Sequence, residues 1–455
     1  MSTEPLTWGG ENFPSELRPI LAESWEISED GRTWTIHLRK GVKWQDGVDF
    51  TADDVLFWAS VLEDPQTIGV GSFSGRFFVN DKPYVFEKVD DYTITITSDV
   101  PVPSLLADIG VPIIPKHYFE EKGISNADMK ASEFNTDLNL GTGPFTMVEN
   151  RVGEAVYLER NENYWRGRPY LDQFVFRLIP DAQTRITALL TGEIDFARIQ
   201  PKQVPELLNS TDIQIMTKIV DYQNHLRLNT SKPYLKDKRT RQALMFAMDR
   251  KAILQAMNLG YGQVCDSVWN PVVTAYEPTT TYTYDVEKAK ALLAEVGWEP
   301  GPDGFLVART VEGVEPGTKF GLVLDAMDSD EVKIFAMVQS YWQAVGIDAQ
   351  IRQIDSSVWN EENTGMIDKP YDVMFSGIGY IGDNGTNYQW LMATNAVDSD
   401  QSYENPVVND LFNQARAATD IGARDALLKQ AGAIVWDELP HLPLYYESRV
   451  WAYNR

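Results

Sequence analysis

An α/β protein whose front portion is built mainly of strands is what this chain predicts, on three observations. Residues 21–47 alternate in period two between glycine-marked turns. Beyond residue 174, strand-like and helix-like segments take turns. The length of 455 residues allows about three domains.

Each element has a local reason. Residues 22–27 read as a strand and Ser28-Glu29-Asp30-Gly31 as its turn. A second strand then sets Trp34, Ile36 and Leu38 against Thr33, Thr35, His37 and Arg39. Gly41 and Asp46-Gly47 supply the next turns. Thr51 with Asp54 three residues on is a capping box, opening a helix through about residue 62, and its acidic first turn suits the helix dipole. Residues 86–97 alternate around Asp90-Asp91 as another hairpin. Residues 174–179 read as a strand, Asp181 as the cap of a helix to Leu190, Gly192 as its stop, and 194–196 as a further strand. That succession predicts a βαβ-type unit and a mixed or parallel sheet. Residues 241–259 and 285–296 have amphipathic helical periodicity. A helix over 330–345 ends at Gly346 and leads into a strand over 347–354, and residues 371–375 are strand-like.

Composition excludes several classes of function. Forty Lys and Arg against 66 Asp and Glu give a formal charge of −26, so nucleic acid is a poor partner. No run approaches the ~18 uninterrupted apolar residues of a membrane helix. One cysteine, Cys265, permits neither an intrachain disulfide nor a Cys-based metal site. No G-x-S-x-G elbow, H-E-x-x-H or paired Cys/His spacing occurs. The four histidines, His37, His117, His225 and His441, are far apart in unlike contexts. The chain therefore predicts no enzyme, no cofactor and no metal. Gly377-Ile378-Gly379-Tyr380-Ile381-Gly382 satisfies the dinucleotide fingerprint G-x-G-x-x-G, but Asp383 follows where a phosphate would sit, so that reading fails on charge.

Several longer motifs carry a resemblance. Leu21-Ala22-Glu23-Ser24-Trp25, Asp30-Gly31, Leu38-Arg39-Lys40-Gly41-Val42-Lys43-Trp44 and Asp46-Gly47 form one extended pattern. Glu4-Pro5-Leu6 precedes it, and Ile113-Ile114-Pro115-Lys116-His117, Gly141-Thr142-Gly143-Pro144-Phe145 and Asn161 with Tyr164-Trp165 follow. Leu439-Pro440 and Pro443-Leu444-Tyr445 close the series. Together they resemble the extracytoplasmic solute-binding proteins, family 5, of peptide-type ABC importers, receptors for dipeptides, oligopeptides, nickel complexes and some oligosaccharides. The resemblance implies a two-lobed periplasmic-binding-protein-like fold (type II, cluster C) with an extra β-rich subdomain inserted in lobe one. It places the insert at 1–143, lobe one at 144–222 with 441–455, and lobe two at 223–440, with hinge crossings near 220–228 and 440–444. It further implies ligand capture between lobes, delivery to a membrane permease, a monomer, and a periplasmic or lipid-anchored location. Relative to that family the chain is expected to be shortened at its front, where a signal sequence would stand, and at its end.

Site residues follow from the same resemblance. Gly382-Asp383-Asn384-Gly385 resembles the segment whose aspartate holds a peptide's α-ammonium, which gives Asp383 that role with Asn384 beside it. The alternative is an Asx-turn aspartate serving its own loop. Dipeptide receptors place an arginine where only Lys333 is available here, and lysine lacks the bidentate fork. Arg239 and Arg241 cannot share a helix face, so one is expected to tie the helix start to a carboxylate and the other to be solvated. Trp269 either stacks on a ligand or packs within lobe two. Trp8, Tyr380 and Trp390 are further candidate platforms, which keeps an oligosaccharide (cello- or xylo-type) receptor as the alternative to a peptide receptor.

Overall fold

The computed structural model describes residues 3–9, 17–64, 78–79, 82–102, 105–135, 140–279, 281–358, 371–379, 403, 405–418 and 420–455. They fall into two compact units, residues 1–180 with 416–421, and residues 181–415 with 422–455.

In the first unit, strands β1 (Ala22–Ile27), β2 (Thr33–Leu38), β3 (Val85–Asp90) and β4 (Thr93–Thr97) form an antiparallel sheet in the order β1-β2-β4-β3. The period-two pattern has its expected meaning: Trp34, Ile36 and Leu38 are buried, with Ile94 and Ile96 of β4. Helix α1 (Ala52–Glu63) begins with the capping box at Thr51 and Asp54 and buries Val55, Trp58, Ala59 and Leu62 in the same core. Asp54 also accepts hydrogen bonds from the Lys116 backbone N–H at 3.0 Å and Trp44 Nε1 at 3.3 Å. Burial pushes its carboxyl upward against those bonds.

Three motif segments of this unit meet at one carboxylate. Glu4, 9% exposed, accepts from Thr142 Oγ1 at 3.0 Å, Tyr164 Oη at 2.7 Å and Trp165 Nε1 at 2.8 Å. The Trp165 ring lies between the guanidinium groups of Arg39 and Arg166, 4.4 and 4.5 Å from its centroid. The N-terminal segment is thereby joined to two segments more than a hundred residues further along the chain.

Strands β5 (Phe145–Arg151), β6 (Ala155–Arg160) and β7 (Gln173–Arg177) make a separate antiparallel sheet. The expected βαβ unit is therefore corrected. β7 pairs only with β6, whereas β8 (Phe196–Ile199) pairs with the last strand of the other unit. Between them α2 (Ala182–Leu190) forms as expected, its cap Asp181 accepting from Thr184 N at 2.7 Å and Gly192 taking φ 72°. A helix thus joins two sheets rather than two strands of one sheet. Local periodicity does not distinguish these cases, because it shows neither that β7 pairs back onto the preceding β6 nor that β8 pairs with a strand at the far end of the chain.

The second unit is built on a seven-stranded mixed sheet. β9 (Ile213–Leu228) and β14 (His441–Asn454) are its two long central strands. They run beside β8, β10 (Gly262–Val264), β11 (Gly321–Ala326), β12 (Asp348–Gln353) and β13 (Val373–Gly379). The main path is β8-β14-β9-β13-β11-β12, with β10 on β14. Among the described strands, only β11 pairs in parallel, with β12 and β13. Two cores lie along this sheet. The smaller gathers Ile186, Leu189, Ala197, Ile199, Val204, Leu207, Ile213, Val450 and Ala452. The larger includes Leu226, Leu228, Leu322, Leu324, Phe335, Trp342, Leu442 and Leu444.

The helix expected over 241–259 is two helices, α3 (Lys238–Phe246) and α4 (Arg250–Asn258). Asp249 breaks the run because its side chain accepts from Ala252 N at 2.9 Å and caps a new start. Arg241 is not solvated as expected. It is 4% exposed and donates to the carbonyls of Leu235, Lys236, Glu438 and Leu439, while Arg239 pairs with Asp237. Helices α5 (Val286–Val296) and α6 (Ser329–Gln343) end before Gly297 and Gly346, at φ 108° and 89°. They are followed along the chain by α7 (Pro406–Ala417) and α8 (Ile421–Glu438). Cys265 is fully buried, which pushes its thiol upward and leaves it protonated.

Candidate functional site

The two central strands lose register at two neighbouring points, the second between Asn224 and His225. The β9–β14 ladder is interrupted between Ile219 and Gln223, where the smaller core gives way to the larger. Side chains hold the interruption: Asn270 Nδ2 donates to Val220 O and Gln223 Nε2 to Val268 O, both at 3.1 Å. Tyr446 Oη sits within 2.8 Å of the Ser267 and Trp269 carbonyls.

Beside this break lies a cleft of about 550 Å³. One wall is the end of β8 and the turn after it, carrying Arg198, Gln200 and Lys202, with Glu447 and Arg449 of β14. The other is the first turn of α6 and its approach, carrying Asp328, Asp330, Glu331 and Lys333, with Met257, Asn258, Phe375 and Tyr445 nearby. Asp328 caps α6, accepting from Asp330 N and Glu331 N at 2.8 and 2.9 Å. Lys333 Nζ donates to Asp330 Oδ1 at 2.6 Å, and Arg198 Nη2 to Glu447 Oε1 at 2.9 Å. Apolar surface flanked by both signs of charge suits a small polar guest with charged ends. Among the described residues no three His, Cys, Asp or Glu side chains are placed to hold a metal.

The whole-chain comparisons bear on the kind of guest. The family model for bacterial extracellular solute-binding proteins, family 5, matches residues 16–400. This chain belongs to that family. The dipeptide-binding protein of Escherichia coli is 31% identical over 460 residues, spanning 95% of this chain and 82% of its own. Heme-binding protein A of Haemophilus influenzae is 30% identical over 452 residues, spanning 94% and 79%. The solved structure of the oligopeptide-binding protein AppA from Bacillus subtilis, in complex with a nonapeptide, superposes with a TM-score of 0.78. It is 26% identical, with all of this chain and 89% of that one covered. The two-lobed binding-protein fold expected from the sequence motifs is the fold of these relatives. Among the described residues, no helix of this solute-binding protein is long and apolar enough to cross a membrane.

Of the residues expected to bind ligand, Lys333 lines the cleft with its ammonium engaged by Asp330. Trp269 does not: it is 1% exposed, edge-to-face with Phe412, and packed so tightly on α8 that a Cβ at Gly432 would lie 2.2 Å from its Nε1. Of the two roles expected for it, packing is the one this conformation realises. Trp8 lies on the short strand Thr7–Gly9 in the first unit. Tyr380, Asp383, Asn384 and Trp390 fall outside the described residues. The glycines of the dinucleotide-like motif have another use. Strand β13 runs through Gly377 and Gly379, and a Cβ at Gly377 would meet the Tyr222 ring within 2.5 Å.

Sequence reasoning missed the cationic wall of Lys202 and Arg449, because neither belongs to a motif and only the sheet brings them together. It also separated two histidines that the fold unites. His225 and His441 are fully buried, with ring centroids 5.0 Å apart. Burial, and nearby positive charge from Arg227, lowers both, His441 to about 3, so the pair is neutral at ordinary pH.

Glu331 yields a pH test. It is 8% exposed and accepts from Met327 N at 2.6 Å. Burial raises its carboxyl above the ordinary 4.5, with Asp328 adding to that and the Met327 bond opposing it. Because the folded state binds this proton more tightly than the unfolded chain, its charge costs stability above the raised value. The cost fades as pH falls through that value. Glu331→Gln, whose amide oxygen can still accept from Met327, is expected to raise the melting temperature at neutral pH. That gain should shrink on acidification toward 4.5, as thermal melts across pH would show.

Proposed function

We propose that this solute-binding protein is the peptide receptor of an ABC importer, capturing a di- or oligopeptide in the cleft and handing it to a membrane permease. The reading is carried by the cleft itself, set where the central ladder breaks between two cores of one sheet, in a chain whose relatives include a dipeptide-binding protein and a nonapeptide complex. Closure would bend β9 and β14 near 220–228 and 440–444, so that both walls touch the ligand only in the shut form. In this reading 144–222 with 441–455 act as lobe one, 223–440 as lobe two and 1–143 as the accessory subdomain. Asp383, with Asn384, meets the ligand's ammonium, while Tyr380, Trp390 and Trp8 serve as apolar walls. The ligand is released unchanged, and the protein works as a monomer outside the cytoplasm, in a periplasm or tethered by lipid.

The test is native mass spectrometry of the purified protein, with any retained ligand released and identified, followed by calorimetry with peptides of two to nine residues. A bound peptide is expected, with X-ray scattering showing a more compact particle in its presence. A desolvated carboxylate–ammonium pair is worth about 4 kcal/mol gross at 4 Å. Asp383→Ala should therefore weaken peptide binding at least tenfold. Heat from cello-oligomers but none from peptides would instead select the sugar reading, for which Trp269 offers no accessible face. Turnover of any ligand would remove the receptor reading altogether.

A further inference from the structure

The cleft contains two cations that no ion pair among the described residues engages, although Lys202 lies near enough to Asp330 to favour its ionised form. Arg198 is held by Glu447 and Lys333 by Asp330, but Lys202 and Arg449 form no ion pair among the described residues, and both are exposed. Arg449 also faces Lys218 directly across the β9–β14 ladder, a like-charge cross-strand pair that costs stability unless an anion lies near. Exposed lysines and arginines are commonly solvated singly. These two instead share one concave wall, in a protein with 26 more acidic than basic side chains. Facing them, the first turn of α6 is acidic, and Asp330 there is already occupied by Lys333.

We propose that Lys202 and Arg449 receive the C-terminal carboxylate of the bound peptide, fixing its direction in the cleft. Lys333, the residue that sequence motifs single out for this task, keeps Asp330. The inference rests on the peptide-receptor reading and adds the wall on which the acidic end lies. Arg449 can grip a carboxylate with two parallel N–H donors, and Lys202 adds a point charge.

The test is calorimetry on the full chain with alanyl di- and tripeptides as free acids and as C-terminal amides, using wild type and the double variant Lys202→Glu/Arg449→Glu. Both side chains are exposed, and thermal melts serve to check that the variant folds. Wild type should prefer the free acids by about tenfold or more. In the variant the free acids should weaken by a similar factor, while the amides, which carry net positive charge, bind as well or better. Equal wild-type affinity for acids and amides would overturn the assignment and leave the peptide-receptor reading standing. So would a preference for acids that survives in the variant, which would place the carboxylate elsewhere. Failure of wild type to bind any peptide would remove the receptor reading first, and this assignment with it.

Discussion

Replacing Glu4 with alanine should destabilise the first unit by about 3 kcal/mol, since hydrogen bonds to a charged acceptor are worth about 1.5–3 kcal/mol each and are not additive. The carboxylate is the shared acceptor of Thr142, Tyr164 and Trp165, and all three donors would be left facing an apolar space. Burial of Tyr164, reinforced by its hydrogen bond to Glu4, holds its hydroxyl well above its ordinary value, so the phenol stays a donor throughout the working pH range. Glu4→Gln should cost less, since the amide keeps one accepting oxygen but turns a donor toward the others. Urea unfolding followed by Trp fluorescence measures both, because the Trp165 ring between Arg39 and Arg166 reports on its surroundings. A loss under about 1 kcal/mol for the alanine variant would show that the three segments hold together without this carboxylate.

Arg241→Met is expected to cost about 3–5 kcal/mol in the second unit, the range for removing one partner from a buried charged network. Methionine preserves the length and packing of the stem, so the measured loss reports the guanidinium. That group satisfies four backbone carbonyls, two at Leu235 and Lys236 and two at Glu438 and Leu439, where α8 ends. A cation at a helix C-terminus also meets the negative end of its dipole. Arg239→Met, two residues away, is the contrast: its partner Asp237 is a local surface pair, so about 1 kcal/mol or less is expected. At about 2–4 °C per kcal/mol for a unit of this size, the two variants should separate clearly in thermal melts. Equal losses would refute the distinction drawn between them.

These residues also show how far the sequence could be read. Wherever a side chain answers to its own neighbours, pattern sufficed: the Thr51–Asp54 box, the Asp181 cap, the Gly192 stop and the alternation of Trp34, Ile36 and Leu38 all stand as expected. Reading failed where the partner is distant. Arg241 looks like a surface residue until the end of α8 arrives from almost two hundred positions away. The strand ending at Arg177 looks like part of a crossover until β8 is seen to pair with the strand at the far end of the chain instead. The helix break at Asp249 was a local signal overlooked, since an aspartate followed three residues later by a free N–H is a cap. In the site, Lys333 was reachable through motif resemblance, whereas Lys202 and Arg449 become neighbours only through the register of β8, β14 and β9.

The burial of Cys265 has a practical use. Its sulfur is shielded and protonated, so thiol-reactive dyes have no native target on the folded molecule. A cysteine introduced at the cleft rim, for instance in place of Gln200, would be the sole attachment point for an environment-sensitive fluorophore. This protein thus comes ready for conversion into an optical reporter whose brightness follows the arrival of its guest.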